Sequence, residues 1–342
     1  MREEPRVLAA RVTSVAPYRA PAWLPGGHAQ TIWPWFVPQP AVRWSREIVA
    51  APDGDHWAFD WLDAPYDDDA PLCVLFHGLE GGATSPYAVA LMDELARMRW
   101  RGLVPHFRGC GGLDNRRPRA YHLGDHEEID AMLAAIRARV GDDVRIYAGG
   151  VSLGGSALLH WLGRHGDDAR RRIARAAAIS SPHDVAAACR AIDRGANRFY
   201  GWVFLRTMNP KARAIAARHP DVLYPSRVRT YRTLHAFDDA VTAPLHGFAG
   251  ADDYYTRTSP KPWLARISVP TLVLNALNDP FIPPGSLARP DEVSPAVVLE
   301  KPDQGGHAGF PTGPYPGRVD WLAQRLIDWF MNGAALPVSS SP

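Results

Sequence analysis

Only three cysteines occur in 342 residues, Cys73, Cys110 and Cys189. Thiols so few and so widely spaced build neither a disulfide framework nor a paired-cysteine metal site, so a reducing cytoplasm is expected. Long apolar runs are also missing. No stretch approaches the roughly 20 residues that span a bilayer, so stable membrane insertion is not expected. Charge of one sign is not in excess: 38 Lys and Arg against 36 Asp and Glu leave a net charge of +2. No global field therefore draws in nucleic acid or an anionic membrane. The one basic run, Arg170-Arg171-Arg172, follows Asp167-Asp168 and reads as a solvated helix end. Neither HExxH nor a tight His/Asp ligand cluster occurs, so no metal and no other cofactor is expected. The opening MREEPRVLAARV mixes acids with bases and has no apolar centre, unlike a signal peptide. Internal repeats are absent.

What is present is a large apolar fraction, 46% of residues, with 32 prolines and 12 tryptophans. That composition suits a folded protein with a substantial core. Residues 1–45 concentrate Pro and Trp, as in APAWLPGGHAQTIWPWFVPQP. Prolines at that density prevent a long helix, and the tryptophans are too apolar for a free linker. The segment reads as an arm packed on the body, or as part of a pocket wall. From Ile48 onward, strand and helix patterns alternate. Short apolar runs at 71–78, 101–109, 144–150, 175–182, 270–279 and 296–303 read as strands, the second weakened by Pro105. Helical spacing marks 85–100, 127–140, a segment from about Ser156, and a closing helix at 318–331. This order implies an α/β fold: a mostly parallel sheet with helices on both faces. Residues 182–263 break the rhythm with helical patches and polar loops, and read as an inserted cap over the strand ends. The body then comprises 46–181 and 264–333, and 334–342 is a flexible tail.

The stretch IYAGGVSLGGSALLHWLG (146–163) sets Ser152 between two pairs of glycines, after a strand pattern and before a helical one. Gly150-Val151-Ser152-Leu153-Gly154 has the form GxSxG. A turn sharp enough to present the serine at the tip of a strand brings the residues two before and two after into close approach, where only glycine fits. Such an elbow predicts an acid and then a histidine, each on a loop after a late strand. Of thirteen histidines only His307, in DQGGHAGF, lies beyond the last strands. For the acid, Asp279 directly follows TLVLNALN; Asp303 competes but stands too near His307 for a separate loop. A developing oxyanion needs two backbone N–H groups. Leu153, next to the serine, and Leu79, in the glycine-rich turn His77-Gly78-Leu79-Glu80-Gly81-Gly82, are the expected donors. His77 reads as a residue that orients this turn.

With these residues assembled, the chain resembles the YheT-like branch of the α/β-hydrolases, which has plant and animal relatives with lipase or esterase assignments. The resemblance runs from about His28 and rests on GGHAQT, HGLEGG, HFRGCGG with the following YHLGD, GGVSLGG, DDYYTRTSP, LNDPFIP and GGHAGF. It puts nucleophile, acid and base on Ser152, Asp279 and His307, the positions already reached from chain order. It also implies a helical cap, a cytoplasmic location for bacterial members, and ester hydrolysis. Cys110, in HFRGCGG, is a second nucleophile or a small packing residue. The expected activity is a serine hydrolase cleaving small-molecule carboxylic esters through an acyl-enzyme. Acyl transfer by the same triad and non-catalytic ligand binding are the alternatives. Phe199, Tyr200, Trp202, Phe204, Tyr254 and Tyr255 either form an apolar acyl pocket or glue the cap to the body.

Overall fold

In the computed structural model, residues 15–333 are described. The expected tail at 334–342 and the first fourteen residues of the arm lie outside that range. The arm contributes one short helix, α1 (Gly27–Ile32), which runs into a turn of 3₁₀ helix carrying Pro34. Two strands follow, β1 (Trp44–Ala50) and β2 (His56–Leu62). The alternating body then runs β3 (Leu72–Phe76), α2 (Pro86–Arg97), β4 (Arg101–Pro105), α3 (His126–Val140), β5 (Ile146–Val151), α4 (Leu153–His165) and β6 (Arg175–Ile179). A helical segment comes next: α5 (Val185–Ile192), α6 (Arg198–Arg218), α7 (Leu234–Phe237), α8 (Ala243–Leu245) and α9 (Ala251–Thr258). The chain closes with β7 (Thr271–Leu274), β8 (Val297–Glu300) and α10 (Trp321–Asn332).

The eight strands form one sheet in the order β1-β2-β4-β3-β5-β6-β7-β8. Pairings from β4 through β8 are parallel, while β1 and β2 join antiparallel at one edge. The period of two explains why the central strands read as unbroken apolar runs. In β3, Leu72, Val74 and Phe76 face one core with α3 and α4, whereas Cys73 and Leu75 face a second core with α2 and α10. Both faces are covered, so each position must be apolar. This is the α/β-hydrolase architecture, with helices rather than strands inserted between β6 and β7.

Two local expectations are corrected. Pro105 does not weaken β4, because it is the last residue of that strand, where a missing N–H costs little. The stretch 237–260, expected as polar loop, holds α8, a π-turn at Asp238–Thr242 and α9. Asp252, Thr256 and Arg257 lie outward, Tyr254 and Tyr255 bury the inner face, and the buried Asp238 is bonded by Thr242 Oγ1 and Tyr255 Oη.

Candidate active site

Ser152 joins β5 to α4 with φ 53° and ψ −116°, a conformation that side-chain-bearing residues rarely adopt and that costs on the order of 1–3 kcal/mol. The surroundings fix it. Its N–H donates to the Ile179 carbonyl at 2.8 Å, and its own carbonyl accepts from Ser156 N–H at 2.9 Å. The flanking glycines supply space. A β-carbon on Gly150 would lie 2.6 Å from the Gly154 carbonyl oxygen, and one on Gly154 would collide with the Phe76 and His77 carbonyls. The Ser152 hydroxyl caps nothing on α4. Among the described residues neither that hydroxyl nor the Leu153 N–H has a hydrogen-bond partner.

The turn after β3 lies against the elbow: a β-carbon on Gly78 would stand 3.3 Å from the Ser152 Cβ. Its N–H groups are almost all taken. Gly78 donates to Tyr87 Oη at 3.0 Å, Glu80 to Tyr121 Oη at 2.8 Å, Gly81 to the Gly78 carbonyl at 3.0 Å, and Gly82 to Ser85 Oγ at 3.1 Å. The Leu79 N–H is left without an acceptor among the described residues. Glu80 holds a φ of 54° and is pinned from two sides. Tyr121 Oη donates back to its carboxylate at 2.8 Å, and Lys211 Nζ, from α6, reaches both carboxylate oxygens at 2.8 and 2.7 Å. His77 is fully buried and ties the turn to the end of β4. Its Nε2 accepts from Phe107 N–H at 3.1 Å, so its Nδ1 donates to the Gly78 carbonyl at 2.8 Å. Burial pushes its pKa down to about 3, so it stays neutral.

Asp279 follows β7 on a buried turn. Its Oδ1 accepts from Phe281 N–H at 2.8 Å, and its Oδ2 lies 2.8 Å from His307 Nδ1. The pairing sets the imidazole with Nδ1–H toward the carboxylate and turns Nε2 away from it. The loop bearing His307 sits on the end of β6, where Ala308 N–H donates to Ser180 Oγ at 2.9 Å. Since Ile179 on the same strand accepts from Ser152 N–H, Ser152 stands one strand from the Asp279–His307 pair. No hydrogen bond joins Ser152 to His307 among the described residues. Asp303 is exposed.

The sequence reading gave no role to α1, which braces both loops. Gln30 is wholly buried, and its Oε1 accepts from Gly305 N–H and from Asn278 Nδ2, each at 2.9 Å. Asn278 Oδ1 accepts from Gly306 N–H at 3.0 Å, and Thr31 Oγ1 accepts from His307 N–H at 2.8 Å. Gly306 approaches so closely that a β-carbon there would meet the Gly27 carbonyl at 2.7 Å. A glutamine and a threonine just after Gly26-Gly27 in an arm rich in Pro and Trp were the available signal. The arm therefore does more than pack.

Other expected residues separate. Cys110 is buried, and burial raises its thiol to about 11, so it is a packing residue. Arg108 is buried and committed to Glu128 at 2.8 Å and Asp53 at 2.7 Å. The six aromatics do not share one pocket. Phe199 and Trp202 are exposed, and Tyr254 and Tyr255 pack within the helical segment. Tyr200 and Phe204 approach Phe281, whose ring centroid is 4.3 Å from that of His307. A small cleft of about 60 Å³ opens beside Leu79, lined by Tyr121, Met208, Ile215 and Phe237. Among the described residues no group of three or more His, Cys, Asp or Glu could hold a metal ion, and no helix is long and apolar enough to cross a membrane.

Residues 71–314 match the family model described as alpha/beta hydrolase fold. The chain is 35% identical over 289 residues to YheT of Escherichia coli (strain K12), whose name carries a provisional esterase label, and the match covers 84% of each chain. It is 28% identical over 319 residues to phospholipase ABHD3 of Homo sapiens, covering 89% of this chain and 76% of that one. Among solved structures, alpha/beta hydrolase domain-containing protein 10 from mouse superposes with a TM-score of 0.53. That match spans 85% of this chain and 100% of that one at 15% identity, a likeness of fold.

Proposed function

The chain belongs to the α/β-hydrolase family, in the branch that includes YheT, and on that premise we propose that it is a serine hydrolase of carboxylic esters. Ser152 is the nucleophile, His307 the base, Asp279 the residue that orients the base, and Leu79 and Leu153 the oxyanion donors. The observation that carries this reading is the strained Ser152, with its hydroxyl and the next N–H both left unbonded among the described residues. Backbone strain that surroundings hold at one serine, in a turn emptied of side chains, is understandable where that hydroxyl must be presented to a ligand.

The chemistry follows from the placement. His307 Nε2 takes the Ser152 proton as Oγ bonds to the ester carbonyl carbon. The Asp279 carboxylate stabilises the imidazolium and holds its tautomer. Negative charge gathers on the former carbonyl oxygen, which the Leu79 and Leu153 N–H groups stabilise beside the positive end of α4. The carbon–oxygen bond to the alcohol breaks and His307 returns the proton to the leaving oxygen. Water, deprotonated by His307, then attacks the acyl-serine and releases the acid. The aromatic wall of Phe281, Tyr200 and Phe204 suits an apolar acyl group. In this reading 182–263 is the cap of a body formed by 46–181 and 264–333, and three buried free thiols suit a reducing cytoplasm.

The test is Ser152→Ala with p-nitrophenyl esters graded by acyl length and a fluorophosphonate probe. Loss of turnover and of labelling is expected. Full turnover by the variant would overturn the assignment.

A further inference from the structure

The charge of the chain is unevenly placed. Between Arg190 and Arg232 there are ten Lys and Arg against two Asp, a local excess of +8 in a chain whose net charge is +2. Within it, the 21 residues of α6 include five basic residues and no acidic one. Arg198, Arg206 and Arg213 of α6 are exposed, on the same outer stripe as Phe199, Trp202 and Val203. Phe199 and Trp202 are 56% and 53% exposed, and their rings meet at 5.9 Å. Arg206 stacks over Trp202 at 5.0 Å, which leaves its charge at the surface.

The buried side of α6 meets the arm. Tyr200 Oη lies 3.0 Å from His28 Nδ1 of α1. One helical turn beyond His28 stands Ile32, followed by Trp35 and Phe36, which are 65% and 71% exposed. Two groups of large exposed apolar side chains on elements that touch are unusual on a soluble surface and mark a place of contact. Tyr200, buried beside Phe199 on α6, also packs on Phe281, which touches His307, so α6 borders the candidate active site.

We propose that the outer face of α6, Ile32 at the end of α1 and the exposed aromatics of the turn that follows it form one docking surface for an anionic lipid bilayer. Indole and phenyl rings settle at the headgroup level of a bilayer, and nearby arginines are drawn to an anionic leaflet. Neither term requires a membrane-spanning helix. A second copy of this chain fits less well, because two α6 faces would oppose like charge. Docking in this orientation turns the candidate active site toward lipid, so an apolar acyl chain can enter without crossing water.

The test uses the full-length chain carrying Ser152→Ala, so binding is read without turnover and stands or falls apart from the hydrolase assignment. Sedimentation with phosphatidylcholine vesicles is compared with sedimentation at about 30 mol% phosphatidylglycerol. Binding to the anionic vesicles alone is expected, and it should weaken at about 0.5 M salt. Phe199→Glu with Trp202→Glu should lower it roughly tenfold or more. Arg198→Glu with Arg206→Glu should lower it to a similar degree. All four positions are exposed, so native thermal melts should be kept. Absence of binding to either vesicle, or binding indifferent to both variant pairs, would overturn the proposal. So would a dimer in vesicle-free solution that Phe199→Glu and Trp202→Glu dissociate, since the patch would then belong to a second copy.

Discussion

Thr31 Oγ1 accepts the backbone N–H of His307 at 2.8 Å, across 276 residues of sequence. The same hydroxyl donates to the Gly27 carbonyl at 2.7 Å, so it is oriented before the loop arrives. A helix of six residues thus fixes the height at which the imidazole is carried. Thr31→Val keeps the shape and removes the acceptor. We expect kcat on a soluble ester to fall roughly tenfold to a hundredfold, since displacements of about 1 Å have that effect. KM should change little. An unchanged kcat would show that the loop holds its position without α1.

Asp279 has no other charged partner than His307 among the ion pairs of the described residues. Asp279→Asn keeps the volume and the Oδ1 acceptor for Phe281 but favours the wrong imidazole tautomer. A loss of roughly a thousandfold or more in kcat is expected, with KM nearly constant. Burst kinetics and labelling of Ser152 should slow together. A fall of less than about tenfold would contradict the role given to the carboxylate.

The turn that presents Leu79 is held by residues that touch no substrate in the proposed mechanism. Tyr121→Phe leaves the Glu80 N–H without its acceptor, and Lys211→Met removes the link from α6. Each should reduce kcat roughly threefold to tenfold through a displaced oxyanion donor, with KM little altered. Lys211→Arg should recover most of the loss. Equal losses in kcat and in thermal stability, without recovery by arginine, would indicate a purely structural role.

Gly154→Ala would place a methyl group against the Phe76 and His77 carbonyls of the central strand. Phe76, the last residue of β3, is held by its pairing with Gly150 of β5, and His77 by its bonds to Gly78 and Phe107, so neither carbonyl can move far. A destabilisation of about 3 kcal/mol or more is expected, or failure to fold. Gly112→Ala makes a contrast: nothing lies within 4 Å of the added carbon, and only its φ of 81° opposes the change. A cost of about 1–2 kcal/mol should follow there. Denaturant titration of both variants decides the matter.

Burial pushes His77, His122 and His183 down to about 3, His160 to about 4 and His246 to about 2. In the unfolded chain each takes a proton near pH 6.5, while the folded chain refuses it. The stability these groups contribute is therefore full above pH 6.5 and is lost as pH falls toward their folded values. Each group removes up to about 1.4 kcal/mol per pH unit in that window. Asp238, pushed up to about 6 by burial, opposes this: it favours the folded chain as pH falls through that value. Glu128, pushed up to about 7, and Asp125, also raised, both by burial, act in the same sense as Asp238. Five imidazoles against three carboxyls leave a net loss, so denaturation midpoints should fall from about pH 6.5 to pH 5; a flat profile there would contradict the buried, neutral state of these rings.

The elbow was legible in the sequence because its cause is local. Four glycines within seven residues, between an alternating segment and a helical one, state a steric requirement that no distant contact needs to complete. The order of acid and base was legible for a similar reason, since each follows a short buried strand. The antiparallel β1–β2 edge was less visible: β1 is partly exposed on both faces, with Arg46 and Glu47 adjacent, so no clean alternation appears.

Composition and spacing alone determined a parallel α/β body, a tight turn at Ser152 and a helical interruption before Thr271. Those depend on burial of successive residues, which chain periodicity encodes. Only the folded chain decided that Gln30 and Thr31 hold the His307 loop, and that Leu79 keeps its N–H free among the described residues while its neighbours are satisfied. It also decided that Phe199 and Trp202 face outward. Each of these depends on which distant groups meet across the sheet ends, and hydrogen-bond partners hundreds of residues apart leave no periodic trace.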